Sequence, residues 1–419
     1  MAKKAKENKK YTFIDLFAGC GGLSEGFLES RKFTPLAHVE WELPMVNTLR
    51  HRLSSHWGLS QEDVNKSVIL FDIQKTDELI NGNWKEDSIN KYGSHNHPSV
   101  IKTGLKGLIG KQKVDFVIGG PPCQAYSIHG RATDKNSMKD DYRNYLFESF
   151  VKVVQAFSPD IFVFENVAGI LSAKPGGRHV TERIYEAFTN AGYEIRTPDA
   201  LKESLYNAYD FGVPQNRPRV IILGVKKNSE YNLDSLYSSI TAEMTKKHKT
   251  VRDAIFDLPK IMPLPEPIKC GRQNISHKVI NPSPNITQHE PRYHAIREIK
   301  VFREWVSKKM NYLSQKEKIA FYYQVTGHKT LYAKYKSLEW DKPSHTIVAH
   351  LSKDGYMFIH PDSEQARSIT IREAALLMTF PMDYEFLGTT AMCYRMIGNA
   401  VPVLMAKGIA NGIAKELKK

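Results

Sequence analysis

Phe13-Ile-Asp-Leu-Phe-Ala-Gly-Cys-Gly-Gly-Leu-Ser24 runs an apolar, strand-like segment into a glycine-rich turn and then into a helical pattern. It predicts a strand over Tyr11–Phe17 and a helix over Gly22–Ser30, joined so tightly that the turn can close on a ligand. Working outward, short apolar runs recur at Pro35–Glu40, Ser67–Asp72, Val114–Ile118, Asp160–Phe164 and Val220–Val225. Helical patterns such as Arg143–Phe157 fall between several of them. Strand, helix, strand in this rhythm predicts an α/β fold, a Rossmann-like parallel sheet with helices on both faces. Ligands of such sheets bind at the carboxyl ends of the strands.

That rule makes one rim of the first half the place to look. Gly19, Gly21 and Gly22 open the backbone after the first strand, but Ser24 stands where a dinucleotide fingerprint needs its third glycine. Glu40 closes the second strand, and a carboxylate there accepts the protons of a ribose diol. Trp41 beside it offers a flat face to a purine. Asp72 closes the third and can accept from an exocyclic amine. Taken singly, each is more often a cap or a surface residue; on one rim together they point to an adenosine-bearing cofactor.

The next strand ends in Gly119-Gly-Pro-Pro-Cys-Gln. Two prolines hold the backbone out of helix and present the Cys123 thiol at a rigid corner, although a single cysteine is usually a small buried hydrophobe. Glu165-Asn166 closes the adjacent strand. Gln215-Asn-Arg-Pro-Arg places Arg217 and Arg219 two apart, on one face if the chain is extended.

Beyond the sheet the sequence changes character. At 419 residues the chain suits two domains, and from about Thr250 to Asp362 it becomes proline-punctuated, basic and aromatic. The net charge is +14, and half of that excess lies between Arg292 and Lys342, where twelve basic side chains stand against five acidic ones. Tyr293, Trp305, Tyr322, Tyr332 and Trp340 interleave with them, a mixture suited to phosphates and bases as well as to a plain solvated surface. The four cysteines are far apart with no CxxC pair, which argues against a zinc module or a disulfide framework; no metal is expected. Met1–Lys10 is a lysine-rich tail. No apolar run reaches the ~18 residues of a membrane span.

The motifs in their order resemble the DNA cytosine-5 methyltransferases, in particular the prokaryotic restriction-modification type. Phe13–Leu23 is similar to that family's cofactor loop, Pro121-Pro-Cys-Gln to its nucleophile motif, Glu165-Asn-Val to its base-binding motif and Gln215-Asn-Arg-Pro-Arg to its arginine motif. Thr250-Val-Arg-Asp-Ala-Ile resembles the opening of its variable region. Arg367-Ser-Ile-Thr-Ile-Arg-Glu-Ala-Ala and Gly398-Asn-Ala-Val-Pro resemble its last two blocks. The resemblance implies S-adenosyl-L-methionine as cofactor, held by Asp15, Phe17, Ala18, Gly19, Gly21, Gly22, Leu23, Glu40, Trp41, Asp72, Ile73, Pro122, Asn399, Ala400 and Val401.

It also implies that Cys123 attacks carbon 6 of a flipped cytosine, that Glu165 holds the ring, and that Arg219, with Arg217 behind it, fixes the base carbonyl or the carboxylate network. Ala125–Asp141 is expected to close over the base, with Gln124, Ser127 and Arg131 on DNA; Lys329, Lys334 and Lys336 are expected DNA contacts in the variable region. The expected domains are 1–249, completed by 395–419, and a target-recognition domain over 250–394. The segment between Asp72 and Val114 is longer than the family's compact form and has no role by this reading.

The implied substrate is double-stranded DNA. An RNA cytosine methyltransferase of the same fold is disfavoured by the long basic region, and a catalytically dead DNA-binding relative by the intact motifs. A monomer is expected, in the cytoplasm of a prokaryote at its nucleoid, with no membrane partner and with a cognate restriction endonuclease as a possible companion.

Overall fold

β1 (Tyr11–Leu16) is the strand on which the sheet is built. In the computed structural model, which describes residues 10–122, 146–271 and 273–417, β1 alternates cleanly between two faces. Ile14 and Leu16 enter a large core with Val46 and Leu49 of the helix Leu43–Ser55, and with Phe150 and Phe188. Phe13 and Asp15 point the other way: Phe13 packs on Phe27 and Asp15 bonds Ser24, both on the helix Gly22–Glu29. Period-two alternation thus puts helices on both faces.

The neighbours of β1 are β2 (Phe33–Glu40) and β4 (Phe116–Gly119), both parallel to it. β3 (Val68–Leu70) pairs with β2, and β5 (Ile161–Val167) with β4, again in parallel. The sheet continues through β9 (Pro218–Lys226) to β6 (Tyr193–Ile195), giving the order β3-β2-β1-β4-β5-β9-β6, with β7 (Leu205–Asn207) also on β9. β9 runs antiparallel to β5, β6 and β7. The expectation of a wholly parallel sheet is corrected here. A continuous apolar run reads the same in either direction, so only the connections reveal the reversal.

Contacts divide the chain into two units. The first comprises Met1–Phe211, Pro218–Lys246 and Val401–Lys419. In it the helix Val403–Glu416 packs against Gly22–Glu29 and against Leu233–Thr241. The approach is close: a Cβ added at Gly26 would lie 2.4 Å from the Ala406 side chain.

The second unit comprises Gly212–Arg217 and Lys247–Ala400. β8 (Gln215–Asn216) belongs to it because it pairs with β12 (Ser344–His345). It also holds the hairpin β10 (Ile261–Cys270) and β11 (Gln273–Val279) and the helices Ile296–Ser307 and Gln315–Thr326. An aromatic core forms around Phe302, Trp305 and Tyr335. Beside it Arg367 is buried in a two-pronged pair with Glu373, at 2.7 and 2.6 Å. No helix among the described residues is long and apolar enough to cross a membrane.

Candidate active site

The turn after β1 is held by a carboxylate. Glu40, at the end of β2, accepts from the Gly19 amide on Oε2 (2.9 Å) and from the Trp41 and Glu42 amides on Oε1 (2.8 and 2.9 Å). Ala18 N–H reaches back to the Val39 carbonyl, so strand end and glycine loop form one piece. Gly19 and Gly21 have φ of 57° and 92°, and Phe17 between strand and turn is also left-handed at 59°, a strained conformation for an aromatic residue. Gly22 and Leu23 begin the helix and are buried.

Two acids are out of water here. Burial pushes the Glu40 carboxyl up to about 7 against the pull of its three amide donors. Asp15 also rises to about 7, chiefly through burial, with the Ser24 hydroxyl opposing and Glu40 adding to it. Asp15 Oδ2 accepts from Ser24 Oγ at 2.5 Å, whereas its buried Oδ1 has no partner among the described residues. Ser24, read from the sequence only as a missing glycine, is therefore the residue that orients Asp15.

These groups suit a donor bearing a ribose, a purine and a cationic amino-acid tail. Among the described residues Oδ1 of Asp15 is an acceptor without a donor, and Oε2 of Glu40 takes one of the two bonds it can accept. Trp41 is 47% exposed, with a face open to stacking. Asp72 is half-buried; its Oδ1 accepts the Gln74 amide and its carbonyl the Lys75 amide, and Ile73 beside it is buried.

Two strands farther on, Gly120 meets Glu165. A Cβ built on Gly120 would fall 2.6 Å from Glu165 Oε2, so only glycine lets this carboxylate lie against the loop. Pro121 and Pro122 follow, and Asn166 donates from Nδ2 to the Pro121 carbonyl at 3.3 Å. Arg219 Nε lies 2.8 Å from Glu165 Oε1, with the two side chains 10% and 12% exposed. The antiparallel pairing of β5 and β9 sets this contact, since Val167 is opposite Arg219. Gly120 and Asn166 were not among the predicted site residues; their signal was adjacency to the proline pair and to Glu165. Cys123, Gln124, Ser127, Arg131 and the segment Ala125–Asp141 lie outside the described residues.

Arg217 is placed elsewhere. Its Nη1 donates to the Ile347 carbonyl at 2.6 Å, and its Nη2 to the carbonyls of Gly398 (2.9 Å) and Ala400 (2.8 Å). The side chain is 1% exposed. The idea that Arg217 backs Arg219 on one extended face is corrected: β8 stops at Asn216, β9 starts at Pro218, and the alternation breaks between them. Asn399 ends the helix Thr390–Asn399 and is exposed, Ala400 is half-buried, and Val401 is buried at the return to the first unit. Lys329, Lys334 and Lys336 are exposed on the second unit, near the strongly exposed Leu331 and Tyr332. Partial desolvation and the nearby Lys318 lower the Lys336 ammonium pKa.

The sequence profile of the C-5 cytosine-specific DNA methylases matches residues 11–83 and 87–415. The chain is 34% identical to the type II methyltransferase M.Bpa9945I of Bacillus paralicheniformis, over 96% of this chain and 98% of that one. It is 30% identical to the type II methyltransferase M1.HphI of Haemophilus parahaemolyticus, over 96% and 87%. Among solved structures it resembles a DNA modification methyltransferase encoded within an E. coli prophage, with TM-score 0.60, 23% identity and coverage of 98% and 100%. It also resembles the S. pombe Dnmt2 methyltransferase, with TM-score 0.51, 13% identity and coverage of 98% and 100%. These two likenesses concern the fold. On the strength of the profile match and of relatives aligned almost end to end, this chain belongs to the C-5 cytosine-specific DNA methylase family and is a DNA cytosine methyltransferase.

Proposed function

We propose that the chain methylates carbon 5 of a target cytosine flipped out of duplex DNA, using S-adenosyl-L-methionine, as the modification enzyme of a restriction-modification system. The observation that carries the residue assignments is the Glu165–Arg219 pair seated against Gly120, three residues before Cys123. Carbon 5 of cytosine is a weak nucleophile. The Cys123 thiolate adds to carbon 6, and the ring becomes an enamine-like nucleophile at carbon 5. Glu165 holds ring nitrogen 3 and the amino group as charge develops. Arg219 keeps that carboxylate oriented through Nε. When bound, the cofactor supplies an electrophilic sulfonium methyl. Loss of the carbon 5 proton then expels the Cys123 sulfur and restores the ring.

Asp15, Phe17, Ala18, Gly19, Gly21, Gly22, Leu23, Glu40, Trp41, Asp72, Ile73 and Pro122, with Asn399, Ala400 and Val401, are the residues assigned to the cofactor. The first unit is the catalytic domain in this reading. The second is the target-recognition domain, with Lys329, Lys334 and Lys336 on phosphates. A cognate endonuclease, action as a monomer and a place at the nucleoid of a prokaryotic cytoplasm belong to the same reading; the type II names of the relatives support its restriction-modification setting alone.

The test is incubation with labelled S-adenosylmethionine and unmethylated genomic DNA, followed by base-resolution sequencing. Methyl at carbon 5 of cytosine within one short motif is expected; label in RNA alone, or none, overturns the reading. Cys123→Ser is expected to keep DNA binding and lose nearly all turnover.

A further inference from the structure

β3 (Val68–Leu70), which leads into Asp72 two residues on, lies at the rim of the sheet, with β2 on one side only. Edge strands of three residues fray, because half of their backbone groups lack partners. Here that edge is closed by side chains. The Asn96 amide accepts from Leu70 N–H (2.9 Å) and donates to Leu70 O (2.9 Å), the two bonds a neighbouring strand would make. Its Nδ2 also donates to the Tyr92 carbonyl at 2.8 Å. One residue pair earlier, Arg50 donates to Val68 O from Nε and Nη2, and to the His95 carbonyl.

The next residue, Phe71, stacks against Trp84 with ring centroids 4.1 Å apart, and meets Tyr92 at 5.3 Å. His95, Asn96, Trp84 and Tyr92 all come from the segment between Asp72 and Val114 that the sequence left without a role. The family profile breaks within this segment, between residues 83 and 87.

We propose that Asn96 is a positioning residue for the methyl donor: standing in for a missing strand, it locks Leu70 and Phe71 and so holds Asp72 and Ile73 at the purine end of the cofactor site. The proposal rests on the assignment of Asp72 and Ile73 to that site. The amide suits the task because it carries one acceptor and two donors in a plane, the complement of a strand residue plus one more carbonyl. Aspartate, of the same size, would keep the bond from Leu70 N–H but set a lone pair against Leu70 O.

The test uses the full chain with Asn96→Ala, Asn96→Asp and Asp72→Ala. Affinity for S-adenosylhomocysteine is measured by calorimetry, exchange of the Leu70 and Phe71 amides by mass spectrometry, and kcat and KM for each substrate by steady-state rates. Asn96→Ala is expected to weaken S-adenosylhomocysteine binding about tenfold and to raise KM for the cofactor alike. It is also expected to speed Leu70 exchange, leaving kcat at saturation and KM for DNA within about twofold. Asn96→Asp is expected to behave as badly or worse.

If Asp72→Ala weakens cofactor binding while neither Asn96 variant does, the assignment of Asp72 stands and the proposal alone falls. If Asp72→Ala leaves binding unchanged, the assignment fails and the proposal with it. A uniform loss of kcat and of both affinities marks Asn96 as merely structural and also overturns it. Should the variants not fold, the wild-type protein still decides. S-adenosylhomocysteine is expected to slow exchange at Leu70 and Phe71, and exchange there that ignores the ligand refutes the coupling.

Discussion

Replacing Asp15 with asparagine is expected to stabilise the ligand-free protein, and to do so more at pH 8 than at pH 6. Asp15 and Glu40 titrate near 7 in the fold, against ordinary values of 3.8 and 4.5. A carboxyl whose pKa is raised by folding contributes stability that is complete below its unfolded value and lost as the pH climbs through its folded one. Between pH 6 and pH 8 the unfolded carboxyls are already ionised, so each folded group gives up about 1.4 kcal/mol. The buried histidines oppose this trend. His38, His345 and His360 are held down to about 3 and His277 to about 4, mainly by burial. Their stability is present above about 6.5 and is lost below it, at about 0.8 kcal/mol each by pH 6.

Four such groups outweigh two carboxyls, so a bare melting curve hides the acids. The difference between wild type and Asp15→Asn cancels the histidines. Asparagine keeps an acceptor for Ser24 and never ionises. The variant is therefore expected to gain about 1.4 kcal/mol on wild type between the two pH values, roughly 3–6 °C in Tm for a unit of this size. Thermal melts with and without S-adenosylhomocysteine measure it. If Asp15 receives the ligand's ammonium as proposed, it does so in ionised form only at the higher pH, and the Tm increment is expected to grow with pH in wild type and to flatten in the variant. A Tm difference that is the same at pH 6 and pH 8 would refute the reasoning.

Arg217→Leu fills a similar volume but strips the donors from the carbonyls of Ile347, Gly398 and Ala400. A loss of about 3–6 kcal/mol is expected in denaturant titrations, and a loss below about 1 would mean water replaces the guanidinium. Gly26→Val drives a side chain into Ala406 at 2.4 Å. It is expected to cost about 3 kcal/mol or more and to expose the helix Val403–Glu416 to proteolysis, whereas wild-type resistance would show that the helices slide apart freely. Neutral substitutions at Lys329, Lys334 and Lys336 are expected to flatten the salt dependence of DNA affinity by about 0.9 in log–log slope for each lost phosphate contact. An unchanged slope would place DNA elsewhere.

The rim was legible from the sequence because its residues lie at or near strand ends, and strand ends are marked by an apolar run giving way to glycine or acid. Glu40 closes β2 as expected, whereas Asp72 lies two residues beyond the end of β3 and Glu165 falls inside β5, two residues before its end. Partnerships across the sheet were not legible. Ser24 with Asp15, Gly120 against Glu165, and Asn96 on Leu70 are separated by 9, 45 and 26 positions and leave no periodic trace. Arg217 misled because two-residue spacing implies a shared face only within a single strand. The reversal of β9 was hidden because its side-chain pattern, PRVIILGVK, is apolar whichever way it runs.

The helix Val403–Glu416 has a consequence for how the protein is made. During synthesis the sheet and the helices Gly22–Glu29 and Leu233–Thr241 leave the ribosome first, with the surface around Gly26, Phe211 and Ile240 bare. The segment that covers it emerges only after the whole second unit has been translated, a delay of roughly 10–30 s at about 5–20 residues per second. Through that interval a nascent chain carries an uncovered apolar seam, a natural handhold for chaperones. A message broken before codon 401 yields an unfinished first unit that proteases can clear, so methylation capacity is a property of full translation rather than of its early products.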